Sequence, residues 1–113
     1  MKDLAPSIFR QRLVIEGLVS KPIEDKDIRN YLMDLSPTLG MNLLNEPVTH
    51  KSAKFGWSGW VHWETSGSHF YAWEQPVLFF SVDIYTCKKF IVESAVAFTR
   101  NFFRSNELVH KEF

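Results

Sequence analysis

Residues Ser58–Cys87 read SGWVHWETSGSHFYAWEQPVLFFSVDIYTC, and the way this stretch divides decides the fold. Trp60, Val61, His62 and Trp63 are β-prone, and the loop formers Thr65, Ser66, Gly67 and Ser68 follow them. The aromatic pattern resumes from His69 to Trp73, breaks at Glu74-Gln75-Pro76, and resumes again from Val77 to Thr86. Three successive strands are therefore expected, with small hydroxyl residues at the first junction. The stretch also holds three of the four tryptophans, two of the four histidines and the only cysteine. Cys87 closes the third strand where a helix is expected to begin, and a thiol at a helix N-terminus gains thiolate character from the helix dipole.

Upstream, Gln11–Val19 alternates Leu13 and Ile15 against Arg12, Val14 and Glu16, the period of a strand, and Lys21-Pro22 ends it. Ile28, Tyr31, Leu32 and Leu35 then fall at i, i+3, i+4 and i+7 behind Glu24, Asp25 and Asp27. That spacing predicts an amphipathic helix with acid at its positive end, closed by Pro37 and Gly40. Met41–His50 reads as a weaker strand interrupted by Pro47, and Lys51–Gly56 as a loop. Downstream, Ile91, Ala95, Phe98 and Phe102 predict a second amphipathic helix over about Lys89–Phe103, followed by a last strand at Glu107–Lys111.

The order β-α-β-β-β-β-α-β predicts a single α+β domain over 1–113, a two-layer α/β sandwich with a mainly antiparallel sheet and two helices on one face. Trp60 and His62 alternate with Val61 and Trp63, so large aromatics point to both faces and the uncovered one is expected to pack on a partner. The chain has 113 residues, 45% hydrophobic and 15% aromatic, as suits a folded domain, and thirteen basic residues balance thirteen acidic ones. Neutrality offers no electrostatic basis for binding nucleic acid or an anionic membrane. The lone cysteine fits a reducing cytoplasm, and neither a membrane span nor a signal peptide is expected.

Ser58-Gly59, Ser66, Trp73 and the run Asp83-Ile84-Tyr85-Thr86-Cys87 together resemble the prokaryotic S-adenosylmethionine decarboxylases, which are pyruvoyl-dependent. In that family a Ser-Gly pair precedes a Glu-Ser-His self-cleavage site. A second His follows, two residues before Trp-Pro-Glu, and then Asp-x-x-Thr-Cys-Gly. The spacing from Ser58 to Trp73 fits without a gap, and one extra residue is needed before Asp83. The resemblance implies a self-cleaving decarboxylase of polyamine (spermidine) biosynthesis, dimeric through face-to-face sheets. Its substrate would be a small amine, S-adenosylmethionine or, with a changed pocket, a basic amino acid.

The resemblance assigns Ser66 as the pyruvoyl precursor, Cys87 as the acid that returns a proton to the substrate, and Ser58 as an aid to cleavage. A serine hydroxyl attacks the preceding carbonyl, elimination opens the resulting ester, and hydrolysis leaves a ketone on the new N-terminus. Several positions depart from the pattern. Thr65 replaces the glutamate, Gly67 the first histidine and Tyr71 the second, and a phenol is a poor base at neutral pH. His69 is a candidate substitute if the strand stays regular through Gly67. Cleavage before Ser68 would recreate a Ser-His pair at Ser68-His69 but breaks the spacing. Trp-Pro-Glu has become Trp73-Glu74-Gln75, Lys88 stands for the last glycine, and Ser52 stands where an aromatic is expected against adenine. Trp57, Trp60 and Trp63 are an alternative stacking surface or simply core.

Other classes draw on the same residues. His62 and His69 with Cys87, Asp83 or His50 form a possible metal set, though without paired-ligand spacing. Ser58, His62 and Asp83 offer hydrolase residue types. The main rival is a homologue that keeps fold and dimer surface but is not cleaved, acting as a ligand-binding or regulatory protein.

Overall fold

The expected strands of the aromatic stretch are β3 (Gly56–Trp63), β4 (Ser66–Trp73) and β5 (Phe79–Thr86) in a computed structural model that describes residues 1–113. Before them come β1 (Gln11–Leu18), α1 (Asp25–Thr38) and β2 (Val48–Ser52), and after them α2 (Val92–Phe103) and β6 (Leu108–Glu112). The strands form one sheet in the order β2-β3-β4-β5-β1-β6, antiparallel at every step. Both helices cover the same face, α1 against β2 and β3, α2 against β1, and each against the other. No helix is long and apolar enough to cross a membrane.

Alternation along the strands sorts side chains between the layers. Leu13 and Ile15, Val61 and Trp63, Phe70, and Phe80, Val82 and Ile84 are buried under the helices. Ile28, Tyr31, Leu32 and Leu35 of α1 meet them, as the helical spacing requires. Each such side chain removed from water contributes about 1.5–3 kcal/mol. Tyr31 lies among Phe70, Phe98, Phe102 and Phe103 with ring centroids 5.1–5.6 Å away, and its hydroxyl meets Thr99 Oγ1 at 2.8 Å. Gly59 lets α1 approach β3: a Cβ there would lie 2.8 Å from Ile28 Cγ2. Arg29 fastens the same helix to the edge strand, donating to the Pro47 carbonyl and to Thr49 Oγ1 at 2.9 Å each. Beside it, the Thr49 hydroxyl and then Arg29 hold the Asp25 carboxyl below its ordinary range.

Four expectations need correction. Met41–His50 is not a strand: a single bridge joins Leu43 to Trp63, and β2 begins only at Val48. Pro47 has no N–H to give a ladder, and the Asn45 side chain accepts the His62 N–H at 2.8 Å instead. Lys51 and Ser52 extend β2, so the loop before β3 is shorter than predicted. The hydroxyl cluster is likewise not a loop. Trp63 pairs with Ser66, which leaves only Glu64 and Thr65 in the turn and puts Ser66, Gly67 and Ser68 in β4.

The second helix begins at Val92, so Cys87 is not at its N-terminus. Phe90 is buried in the core, and the Gln11 side chain clamps its backbone, donating to the Phe90 carbonyl at 3.1 Å and accepting its N–H at 3.0 Å. This clamp stands just before the extended Ile91 and delays the helix. A helix dipole falls off within one turn, so the activation expected for Cys87 from that source is lost.

Candidate functional site

The tight β3–β4 turn carries the site. Its second residue is Thr65, and Ser66 follows as the first residue of β4, opposite Thr86 of β5. Because β5 ends at Thr86, the next backbone N–H, that of Cys87, turns toward the hairpin tip. It donates both to the Thr65 carbonyl at 3.3 Å and to Ser66 Oγ at 3.2 Å. Ser66 Oγ also lies 2.9 Å from Thr65 Oγ1. Ser66 Oγ accepts the Cys87 N–H, and in its contact with Thr65 Oγ1 either hydroxyl can donate. Ser66 and the half-buried, unpaired Cys87 thus meet although they are 21 residues apart.

The remaining candidates are distributed along the strands. Ser58 and Tyr71 are direct cross-strand neighbours. Each lies five positions from the hairpin tip, roughly 17 Å at the strand rise, so within one chain they do not join Ser66. His69 stands opposite Trp60 and Asp83 on the bare face of the sheet. The ladder is regular from Ser66 to Trp73, so Gly67, His69 and Tyr71 share that face, as the condition on His69 required. Ser68 is fully buried beneath the helices in mid-strand, and neither its hydroxyl nor that of Thr86 has a hydrogen-bond partner. Ser52 sits on the exposed edge strand. Trp57 and Trp63 face the core, where Trp63 Nε1 donates to Ser36 Oγ at 2.7 Å, and only Trp60 of the three faces outward.

A depression of about 520 Å³ opens on the bare face at the hairpin end, lined by Arg12, His62, Thr65, Ser66, Gly67, His69, Asp83 and Tyr85. Asp83 is held by a two-pronged contact with Arg12, Nε to Oδ1 at 3.0 Å and Nη2 to Oδ2 at 2.8 Å. This pair neutralises the floor and leaves two imidazoles and a phenol as its free polar groups. Asp83 is therefore occupied, Ser58 is about four strand positions from His62, roughly 14 Å, and the hydrolase set does not assemble. Nor do three or more His, Cys, Asp or Glu side chains converge as a metal site. Sequence reasoning missed the participation of Arg12, Tyr85 and the Cys87 N–H. Hairpin pairing, which puts His62 opposite Gly67, was the available signal for this grouping.

The family model of S-adenosylmethionine decarboxylase matches residues 15–113. The chain belongs to the S-adenosylmethionine decarboxylase family. Among solved structures, the adenosylmethionine decarboxylase of Aquifex aeolicus VF5 superposes with a TM-score of 0.77 at 14% sequence identity, over 94% of this chain and 89% of that one. At that identity the likeness is one of fold. None of the curated proteins matches the chain in sequence. The S-adenosylmethionine decarboxylase fold accounts for the sheet, both helices and the bare face. The hairpin tip holds Ser66 and Cys87, the two residues to which the resemblance assigned the chemistry.

Proposed function

We propose that this chain is a pyruvoyl-dependent decarboxylase that cuts itself between Thr65 and Ser66 and acts on S-adenosylmethionine in polyamine (spermidine) biosynthesis. The observation that carries the reading is the Cys87 N–H donating to both the Thr65 carbonyl and Ser66 Oγ. Attack by Ser66 Oγ on the Thr65 carbonyl carbon puts negative charge on the oxygen that this N–H already meets, and such a preorganised donor favours the tetrahedral state. Thr65 Oγ1 is in place to receive the serine proton and pass it to solvent. The turn favours the step as well, because Glu64 and Thr65 lie outside the ladder and the acyl group moves without unzipping the sheet.

A pyruvoyl group at position 66 supplies a carbonyl that captures the substrate amine and accepts the electrons released with carbon dioxide. The residues present fit it: the depression reaches Ser66, Thr65 and Gly67, with His62 and His69 beside them. Cys87 is the candidate proton donor to the substrate α-carbon. Tyr85, His62 and His69 offer flat surfaces for a purine, with Asp83 and Arg12 beneath.

The bare face, where Tyr71 and Tyr85 are exposed and Trp60 half-buried, is the surface for a second copy. A two-fold axis lying between two such sheets and across their strands would lay the Ser58 and Tyr71 end of one over the Ser66 end of the other. Residues roughly 17 Å apart in one chain would then meet in one site.

Intact mass under denaturing conditions tests the reading. The wild-type chain yields residues 1–65 and a pyruvoyl-bearing 66–113, while Ser66→Ala keeps the whole mass of 13.2 kDa. A wild-type chain that stays whole on long incubation leaves the binding or regulatory homologue as the function. Cleaved protein that releases carbon dioxide from a basic amino acid and not from S-adenosylmethionine moves the substrate.

A further inference from the structure

Opening the ester at Ser66 needs a base for its Cα proton, and the family's two histidine positions are Gly67 and Tyr71 in this chain. In an antiparallel sheet the Cα–H lies near the plane of the sheet, directed toward a neighbouring strand. By alternation the Ser66 side chain shares the helix-covered side with Ser68, while the depression reaches Ser66 from the bare face. The helix-covered side is filled by packed core, so the open side from which a base can approach residue 66 is the depression.

The space beside Ser66 on that face is occupied by a residue from the next strand. A Cβ placed on Gly67 would lie 3.2 Å from His62 Cδ2 and 3.1 Å from the Val61 carbonyl oxygen. The His62 ring thus lies across Gly67, where a side chain at 67 would have to enter. His62 is the direct cross-strand partner of Gly67, and its position is fixed. Its N–H donates to Asn45 Oδ1 at 2.8 Å, its carbonyl accepts from the Leu44 N–H at 2.9 Å, and its ring centroid is 4.7 Å from that of Trp60. His69 is on the same face but three positions from Ser66, roughly 10 Å along β4.

We propose that His62 is the base of the elimination step, a role that rests on the self-cleavage reading above. Once Ser66 Oγ has displaced the Ser66 nitrogen from the Thr65 carbonyl carbon, the chain is joined by an ester and the nitrogen is an amine. His62 takes the Cα proton of residue 66, and the C–H electron pair becomes the Cα=Cβ bond. The Cβ–Oγ bond breaks, and its electrons leave on Thr65 as a carboxylate. Water then adds to the imine tautomer of the dehydroalanine and ammonia departs, leaving the ketone. An imidazole is suited to the transfer at neutral pH. In effect, the histidine absent from position 67 is supplied by the strand beside it, and glycine at 67 is what makes room.

The test follows the purified full-length chain by denaturing intact mass. His62→Ala is expected to slow cleavage by at least about 100-fold. Hydroxylamine, which cleaves esters, is expected to split this variant between Thr65 and Ser66, showing that the fold and the first step survive. Free imidazole, or the double variant His62→Ala with Gly67→His, is expected to restore pyruvoyl formation. Cleavage of His62→Ala within about threefold of wild type overturns the assignment while the self-cleavage reading stands. A His62→Ala chain inert to hydroxylamine also overturns it, because His62 would then act before the ester. Loss of cleavage in His69→Ala with His62→Ala unaffected gives the role to His69. A wild-type chain that never cleaves removes the underlying reading and this assignment together.

Discussion

The Cys87 backbone N–H lies 3.3 Å from the Thr65 carbonyl oxygen, so the end of β5 is tied by its main chain to the peptide that precedes Ser66. The contact belongs to the backbone and not to the thiol. Two contributions of one residue can therefore be separated by changing the side chain alone.

Cys87→Ala and Cys87→Ser keep the N–H and are expected to cleave at a rate close to wild type. Decarboxylation by the cleaved protein is expected to fall by about 10²–10⁴, the usual contribution of a positioned acid. Intact mass reads the first quantity and release of labelled carbon dioxide the second. A well-folded Cys87→Ser chain that stays whole would show that the thiol takes part in processing.

Ser66 and Ser68 differ in their surroundings as well as their spacing. Ser68 Oγ is buried in mid-strand without a partner, so Ser68→Ala removes an unsatisfied group and loses no hydrogen bond. Its stability is expected to lie within about 1 kcal/mol of wild type, or above it, with cleavage retained. Ser66→Ala is expected to abolish cleavage. The reverse pattern in fragment masses would move the cut to Gly67-Ser68.

Gly59→Ala is expected to destabilise the fold by about 1–3 kcal/mol, the usual cost of overpacking. The added methyl would meet Ile28 Cγ2 at 2.8 Å, and Thr49 Cγ2 and the Val48 carbonyl at 3.0 Å, so α1 or β2 must move. A urea midpoint equal to that of wild type would show that α1 rides on β3 more loosely than this contact implies.

Burial pushes the Tyr31 phenol well above its ordinary value, against a smaller opposing effect of its hydrogen bond to Thr99. In the unfolded chain a tyrosine ionises near about pH 10. Above that pH the unfolded state has lost a proton that the folded state retains, so stability falls as pH rises, and below it the group contributes no pH dependence. Tyr31→Phe is expected to flatten this alkaline limb in thermal melts between about pH 9 and 11. Thr99 Oγ1 still donates to the Ala95 carbonyl at 2.7 Å in that variant. An unchanged limb would assign the alkaline sensitivity to other groups.

Periodicity made most of the fold legible. The i, i+3, i+4, i+7 spacing of Ile28, Tyr31, Leu32 and Leu35 is a local signal, and those four residues form the buried stripe of α1. The two-residue alternation of β3 similarly separates Trp63 from His62. What escaped the sequence depends on partners far along the chain. The start of α2 is delayed by Gln11, 79 residues before Phe90, and nothing near Cys87 reports that clamp. Ser66, Gly67 and Ser68 have the composition of a turn, yet neighbours on both sides draw them into β4, where the ladder outweighs local preference. At the site, the resemblance pointed to Ser66 and Cys87, while the N–H that joins them belongs to the end of a strand and leaves no mark in residue type. His62 was visible only as one of several histidines until its register with Gly67 was known.

The strand order carries a consequence for a chain cut after Thr65. The leading piece would hold β1, β2 and β3, and the trailing piece β4, β5 and β6. In the sheet these do not form two blocks, because β1 of the first is inserted between β5 and β6 of the second, and β3 borders β4. The two polypeptides are laced through one another, so neither has a complete core alone. They would part only by unravelling the sheet, and would behave in every respect but covalent connection as one subunit.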